Sequence, residues 1–157
     1  MLNKIKTNPL SFVIWIMLSC AVHIVLFRSK VNMDHEIWQR ILTVILAVCF
    51  VLPIHEFIHF VFMKMFCKVS VKIKLMRDPM GVPTLGTVTD GKFQKWQIVI
   101  IYLAPFVFLT LLTDAIFLFC DRIELIFFVV SVCNCAGCLY DSIDTLITVT
   151  KKDNVNT

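Results

Sequence analysis

Residues 41–66 read ILTVILAVCFVLPIHEFIHFVFMKMF, an apolar run in which Glu56 is the sole formal charge before Lys64. At a helical rise of ~1.5 Å per residue this run outspans the ~30 Å hydrocarbon core of a bilayer, so it reads as a transmembrane helix. It carries His55, Glu56 and His59 in its second half, just after Pro53. Polar groups in such a setting need a reason to be there. An acid at the centre of a membrane helix costs ~2.5 to 3.5 kcal/mol on insertion scales, so chance retention of all three is a poor explanation.

Working outward, three more apolar runs occupy 10–27, 98–119 and 125–149. The expected fold is therefore an all-α membrane protein with about four transmembrane helices, spans 10–27, 41–66, 98–119 and 125–149, forming a single membrane-embedded domain over 1–157. Composition agrees: the chain is 59% hydrophobic and 17% charged, with a mean hydropathy of +0.85. A soluble domain of this size could not hide four such runs without leaving an aggregating surface. The first run follows Lys4 and Lys6 and contains Leu18-Ser19-Cys20, but it continues past that point, which favours a retained helix over a signal peptide.

The formal charge of +4 does not indicate nucleic acid, because Lys and Arg gather between the apolar runs instead of forming one basic face. They read as topology signals. The polar segment 67–95 holds Lys68, Lys72, Lys74, Arg77, Lys92 and Lys95 against Asp78 and Asp90, which places it in the cytoplasm. Both termini are then cytoplasmic as well, in keeping with Lys4, Lys6, Lys151 and Lys152, and the expected location is the cell membrane, crossed several times. Loops 28–40 and 120–124 face outward.

Within the polar segment Val69, Val71, Ile73 and Leu75 alternate with polar or flexible residues, the period of a strand with one apolar face. Asp78-Pro79-Met80-Gly81 supplies turn chemistry and 85–89 can return, so a short cytoplasmic β-hairpin is expected between spans two and three. Of seven cysteines, six (Cys20, Cys49, Cys120, Cys133, Cys135 and Cys138) fall in or at the ends of apolar runs, where thiols act as small hydrophobes.

One helical turn separates His55 from His59, so both imidazoles can reach one Zn2+, with Glu56 beside them as a proton acceptor. Bound zinc lowers the pKa of its water to ~7, making hydroxide available at neutral pH. A hydrolytic zinc site takes three protein ligands and keeps one open position. His59 lies seven residues before the cytoplasmic end of span two and Asp141 eight before that of span four, so the two share a membrane depth. Depth favours Asp141 as third ligand, with Asp144, one turn nearer the cytoplasm, as the alternative. Asn134 stands two turns before Asp141 on the same face, where its amide could hold a substrate carbonyl or oxyanion, or bond to a neighbouring helix.

Cys133 and Cys135 point about 200° apart on a helix, so the three clustered thiols cannot share one ion. Asp114 is expected to snorkel or hydrogen-bond near the outward end of span three, and His23 to be a packed or interfacial histidine. His35 sits in an outward loop and carries no information.

With HEFIH in one span, Ala104-Pro105-Phe106 in the next and Gly137-Cys138-Leu139-Tyr140-Asp141 in the last, the chain resembles a family of short bacterial membrane zincin peptidases. That family is itself similar to the site-2 intramembrane zinc metalloproteases. The resemblance covers 44–149 and implies one Zn2+ per chain held by His55, His59 and Asp141, with Glu56 as general base. Site-2 proteases usually follow the Asp with Gly, where Ser142 stands here, and place Pro after their upstream Asn, whereas no proline occurs between Asn134 and Asp141. By the same resemblance, 69–75 looks like a strand that receives an extended substrate.

The expected activity is thus that of a zinc-dependent intramembrane or membrane-proximal peptidase acting on a membrane protein or peptide, with the bilayer as its surroundings and no nucleic acid. Two other readings fit the same residues. One is a non-proteolytic membrane protein with a structural metal site, for which Asp114 and Asp144 would be extra ligands, and the other is a small subunit of a membrane complex.

Overall fold

The computed structural model describes residues 9–34, 36–77 and 83–150. His35, the turn expected at 78–81 and the terminal lysines lie outside the described residues. The chain is mostly helical. Helix α1 (Pro9–Phe27) leads through strand β1 (Val31–Asn32) into α2 (Ile37–Phe66), and the hairpin β2 (Val71–Arg77) and β3 (Pro83–Thr89) follows. Then come α3 (Lys95–Pro105), a π-helical turn (Phe106–Leu111), α4 (Leu112–Phe119), β4 (Ile123–Glu124), α5 (Leu125–Gly137) and α6 (Leu139–Thr150).

Three helical stretches are long and apolar enough to cross a membrane: Ile37–Phe66, Lys95–Phe119 and Leu125–Thr150. The expected first span is a shorter apolar helix over its described part, Val13–Phe27. The distribution of polarity is inverted relative to a soluble protein. Ser19, His23, His55, His59, Thr110, Ser131 and Asn134 are buried, while Val25 is 80% and Phe119 90% exposed. So large an apolar exterior would be an aggregation surface in water and matches the apolar length of these helices.

Local sequence explains where the elements start and bend. Glu36 and Gln39 form a capping box at the start of α2, with Glu36 N–H donating to Gln39 Oε1 at 3.0 Å, and Gln94 and Gln97 repeat it at α3 with a 2.8 Å bond. The third expected span is not a uniform α-helix. Pro105 has no N–H to give to the carbonyl of Ile101, and the helix widens into the π turn immediately after it. The fourth span is interrupted at Cys138, whose ψ of 1° departs from helical geometry.

The helix ends at one side of the molecule are tied together by a feature the sequence reading lacked. β1 pairs in parallel with β4 through Val31↔Ile123 and Asn32↔Glu124, above a cluster of Phe27, Phe117 and Ile123. Lys30 Nζ donates to the carbonyls of Phe117 and Leu118 at 3.1 and 3.0 Å, capping the end of α4. The hairpin between spans two and three is present as expected. It runs antiparallel from Val71↔Thr89 to Arg77↔Pro83. Its first strand begins two residues later than the alternation suggests, because Val69 N–H turns back to Cys67 Sγ at 3.4 Å. The hairpin root needs glycine: a Cβ on Gly91 would stand 2.1 Å from Cys67 Sγ.

Candidate metal centre

Both motif histidines are buried on α2, and in each the Nδ1 atom is committed to the protein. His55 Nδ1–H donates to Asn134 Oδ1 at 2.9 Å, and His59 Nδ1–H donates to the carbonyl of Ile101 at 2.8 Å. A neutral imidazole holding its proton on Nδ1 presents a bare lone pair at Nε2. The two Nε2 atoms stand 3.1 Å apart, and Asp141 Oδ2 lies 3.0 Å from one and 3.3 Å from the other. Asp141 Oδ2 is buried without a hydrogen-bond partner. In that tautomer three acceptor atoms face one another, and a shared cation is what would draw them together.

The spacing fits zinc. Two ligand atoms at about 2.0 Å from a tetrahedral ion stand ~3.3 Å apart, close to the separations found here. Among the described residues, His55, His59 and Asp141 form the one group of His, Cys, Asp or Glu atoms that could hold a metal ion, all within 4.8 Å of one another. Asp144 is outside that group, and so are Cys133, Cys135 and Cys138.

The carbonyl that orients His59 is free for a reason written in the sequence. Ile101 sits four residues before Pro105, so its carbonyl lacks the helical N–H it would otherwise accept. Asn134 orients His55 and is itself held on all sides. It is 0% exposed, and its Nδ2 donates to Pro105 O and Thr110 Oγ1, each at 2.9 Å. The structure thus gives Asn134 interhelical bonds and brings it to a histidine ring. The supporting groups Ile101 and Thr110 were not singled out from sequence, and Pro105 entered only through the Ala104-Pro105-Phe106 motif, although a proline at 105 signals a free carbonyl at 101.

Glu56 is half-buried beside the histidines. Thr87, on β3, brings its hydroxyl to 2.9 Å from Glu56 Oε2 and 3.0 Å from the Glu56 carbonyl. Tyr102 packs edge-to-face on His59 with ring centres 6.2 Å apart.

A second polar cluster lies away from this centre and joins residues that the sequence treats separately. His23 Nδ1–H donates to the Ser19 carbonyl at 2.8 Å, while its Nε2 lies 3.2 Å from Asp114 Oδ2 and 3.1 Å from Ser131 Oγ. Ser131 Oγ–H donates to Asp114 Oδ1 at 2.7 Å. His23 is packed, as expected, and Asp114 is hydrogen-bonded.

Comparison with known proteins adds one finding. The model of a family described as "Putative zincin peptidase" matches residues 48–155, a stretch that contains every group just placed around the metal centre. No curated protein and no solved structure matches the chain.

Proposed function

Because the chain belongs to that zincin peptidase family, we propose that it is a zinc-dependent peptidase working within or at the cytoplasmic side of a membrane. The observation that carries the reading is the convergence of two bare Nε2 atoms and an unpartnered buried Asp141 oxygen on α2 and α6. His55, His59 and Asp141 would hold one Zn2+, leaving a fourth position open. When bound, zinc acts as a Lewis acid that eases deprotonation of water at neutral pH and polarises a peptide carbonyl.

The protein's own groups do the remaining work. Glu56 accepts the proton of the attacking water on a carboxylate oxygen and returns it to the amide nitrogen of the departing segment. Asn134 and the Ile101 carbonyl hold the two imidazoles in the tautomer that presents Nε2. A transmembrane substrate must unwind first, since a helical carbonyl is already hydrogen-bonded and shielded. The hairpin offers the unwound segment main-chain partners, because β2 pairs with no strand besides β3 among the described residues. In this reading residues 1–157 form one membrane-embedded domain with cytoplasmic termini.

The test is zinc content and cleavage of an unstructured membrane-anchored peptide by the purified protein. Glu56→Gln should keep about one zinc per chain and lose ~10²- to 10⁴-fold in kcat, the usual worth of a general base. Wild-type cleavage in that variant would sink the assignment.

A further inference from the structure

We propose that Thr87 is the positioning residue for Glu56, so that the hairpin completes the catalytic site by holding its base. This inference rests on the peptidase reading above and deepens it.

Glu56 extends from α2 on a side chain with three rotatable bonds, and nothing in its own helix fixes where the carboxylate comes to rest. Its anchor comes from another element. Thr87 Oγ1 lies 2.9 Å from Glu56 Oε2 and 3.0 Å from Glu56 O, so one hydroxyl proton is shared between the side chain and the main chain of the same residue. That double contact fixes the carboxylate relative to the helix that carries both histidines, and it leaves the second carboxylate oxygen available for proton transfer.

The anchor is itself rigid. Threonine is β-branched, so its χ1 choice is narrow and the hydroxyl is aimed in advance. Its place is set by the ladder, where Thr87 stands opposite Ile73 with paired residues on both sides of it. Strand periodicity puts Leu85, Thr87 and Thr89 on one face, so a one-residue slip of β3 would turn Thr87 away from α2. The hairpin is pinned against such a slip at its root, where Gly91 fits against Cys67 and Thr89 Oγ1 reaches the Ser70 carbonyl at 3.0 Å.

Three variants test the proposal in zinc-loaded protein in detergent: Thr87→Val, which keeps the shape and removes the donor; Thr87→Ser, which keeps the donor; and Thr87→Ala, a second donor-free form should the valine variant fail to fold. A lost hydrogen bond to a charged group predicts a fall of about 10- to 100-fold in kcat for Thr87→Val, with KM within about twofold and zinc content unchanged. Thr87→Ser should restore kcat to within about threefold of wild type. A purely structural contact would instead lower stability while sparing kcat per folded, zinc-loaded molecule.

A readout independent of turnover is the infrared carboxylate band of Glu56, assigned by subtracting the spectrum of Glu56→Gln. It should shift in Thr87→Val and return in Thr87→Ser. Wild-type kcat in both donor-free variants overturns the proposal. Zinc-loaded wild type that cleaves no peptide removes the peptidase reading instead. A Glu56 band that does not move in Thr87→Val overturns the positioning contact in either case.

Discussion

At the scale of single residues, Asn134 and Asp141 stand two turns apart on neighbouring helices and meet opposite sides of the His55 ring. Asn134 Oδ1 accepts the proton of His55 Nδ1 and so keeps one on that side of the ring, whereas Asp141 Oδ2 faces the Nε2 atoms of both rings, the side where a metal ion would bind. The two residues should therefore fail differently. Asp141→Ala should abolish zinc binding, Asp144→Ala should retain it, and Asn134→Ala should weaken it by about 10- to 100-fold while leaving one site per chain. Competition titration against a zinc chelator in detergent measures all three. Loss of zinc from Asp144→Ala and not from Asp141→Ala would exchange their roles. At this scale the sequence was informative where spacing is local: His55, Glu56 and His59 share a turn of helix, and matched depth pointed to Asp141. It was silent on the partners of Nδ1, because His55 meets Asn134 across 79 residues and His59 meets Ile101 across 42.

At the scale of elements, the third span shows why an apolar run is a poor guide to its own geometry. Hydropathy marks where a helix can lie in lipid, but Pro105 and the π turn after it change the register without changing the composition. That change matters to the metal centre, since the same proline frees the Ile101 carbonyl for His59 and offers its own carbonyl to Asn134. Pro105→Ala would supply an N–H able to reclaim Ile101 O in an ordinary helical bond. His59 would then compete for its acceptor, and zinc affinity should fall by about 2- to 10-fold, the worth of one neutral hydrogen bond, while helix stability holds or improves. Zinc titration beside thermal unfolding separates the two effects; equal affinity would show that His59 does not depend on that carbonyl. The hairpin was legible because its period of two is a local signal, with a first strand displaced by two residues. The two-residue β1–β4 pair was not, because nothing so short carries a pattern.

At the scale of the whole molecule, the membrane setting proposed above raises the question of what holds helices together when lipid is as apolar as their side chains. Apolar burial contributes little to such contacts, and packing and interhelical hydrogen bonds must do more. The buried polar residues are placed accordingly. One set surrounds the metal centre and joins α2, α3, α5 and α6; the other, His23 with Ser19, Ser131 and Asp114, joins α1 to α4 and α5. Trp15 Nε1 adds a 3.0 Å bond from α1 to the Cys135 carbonyl. The second set predicts a thermodynamic signature. Removing one member of a buried pair strands the other, so His23→Leu and Asp114→Leu should each cost about 3 to 5 kcal/mol of stability. Replacing both leaves no charge stranded, only the Ser131 hydroxyl, which can turn to a carbonyl one turn back in its own helix, and the double variant should recover most of that loss. Unfolding curves in detergent for the four proteins give the coupling directly, with zinc content as a control that the metal centre is intact. Recovery in the double variant would identify the pair as a clamp on α1. A double variant as unstable as the sum of the singles would mean that His23 and Asp114 act independently and do not form a clamp.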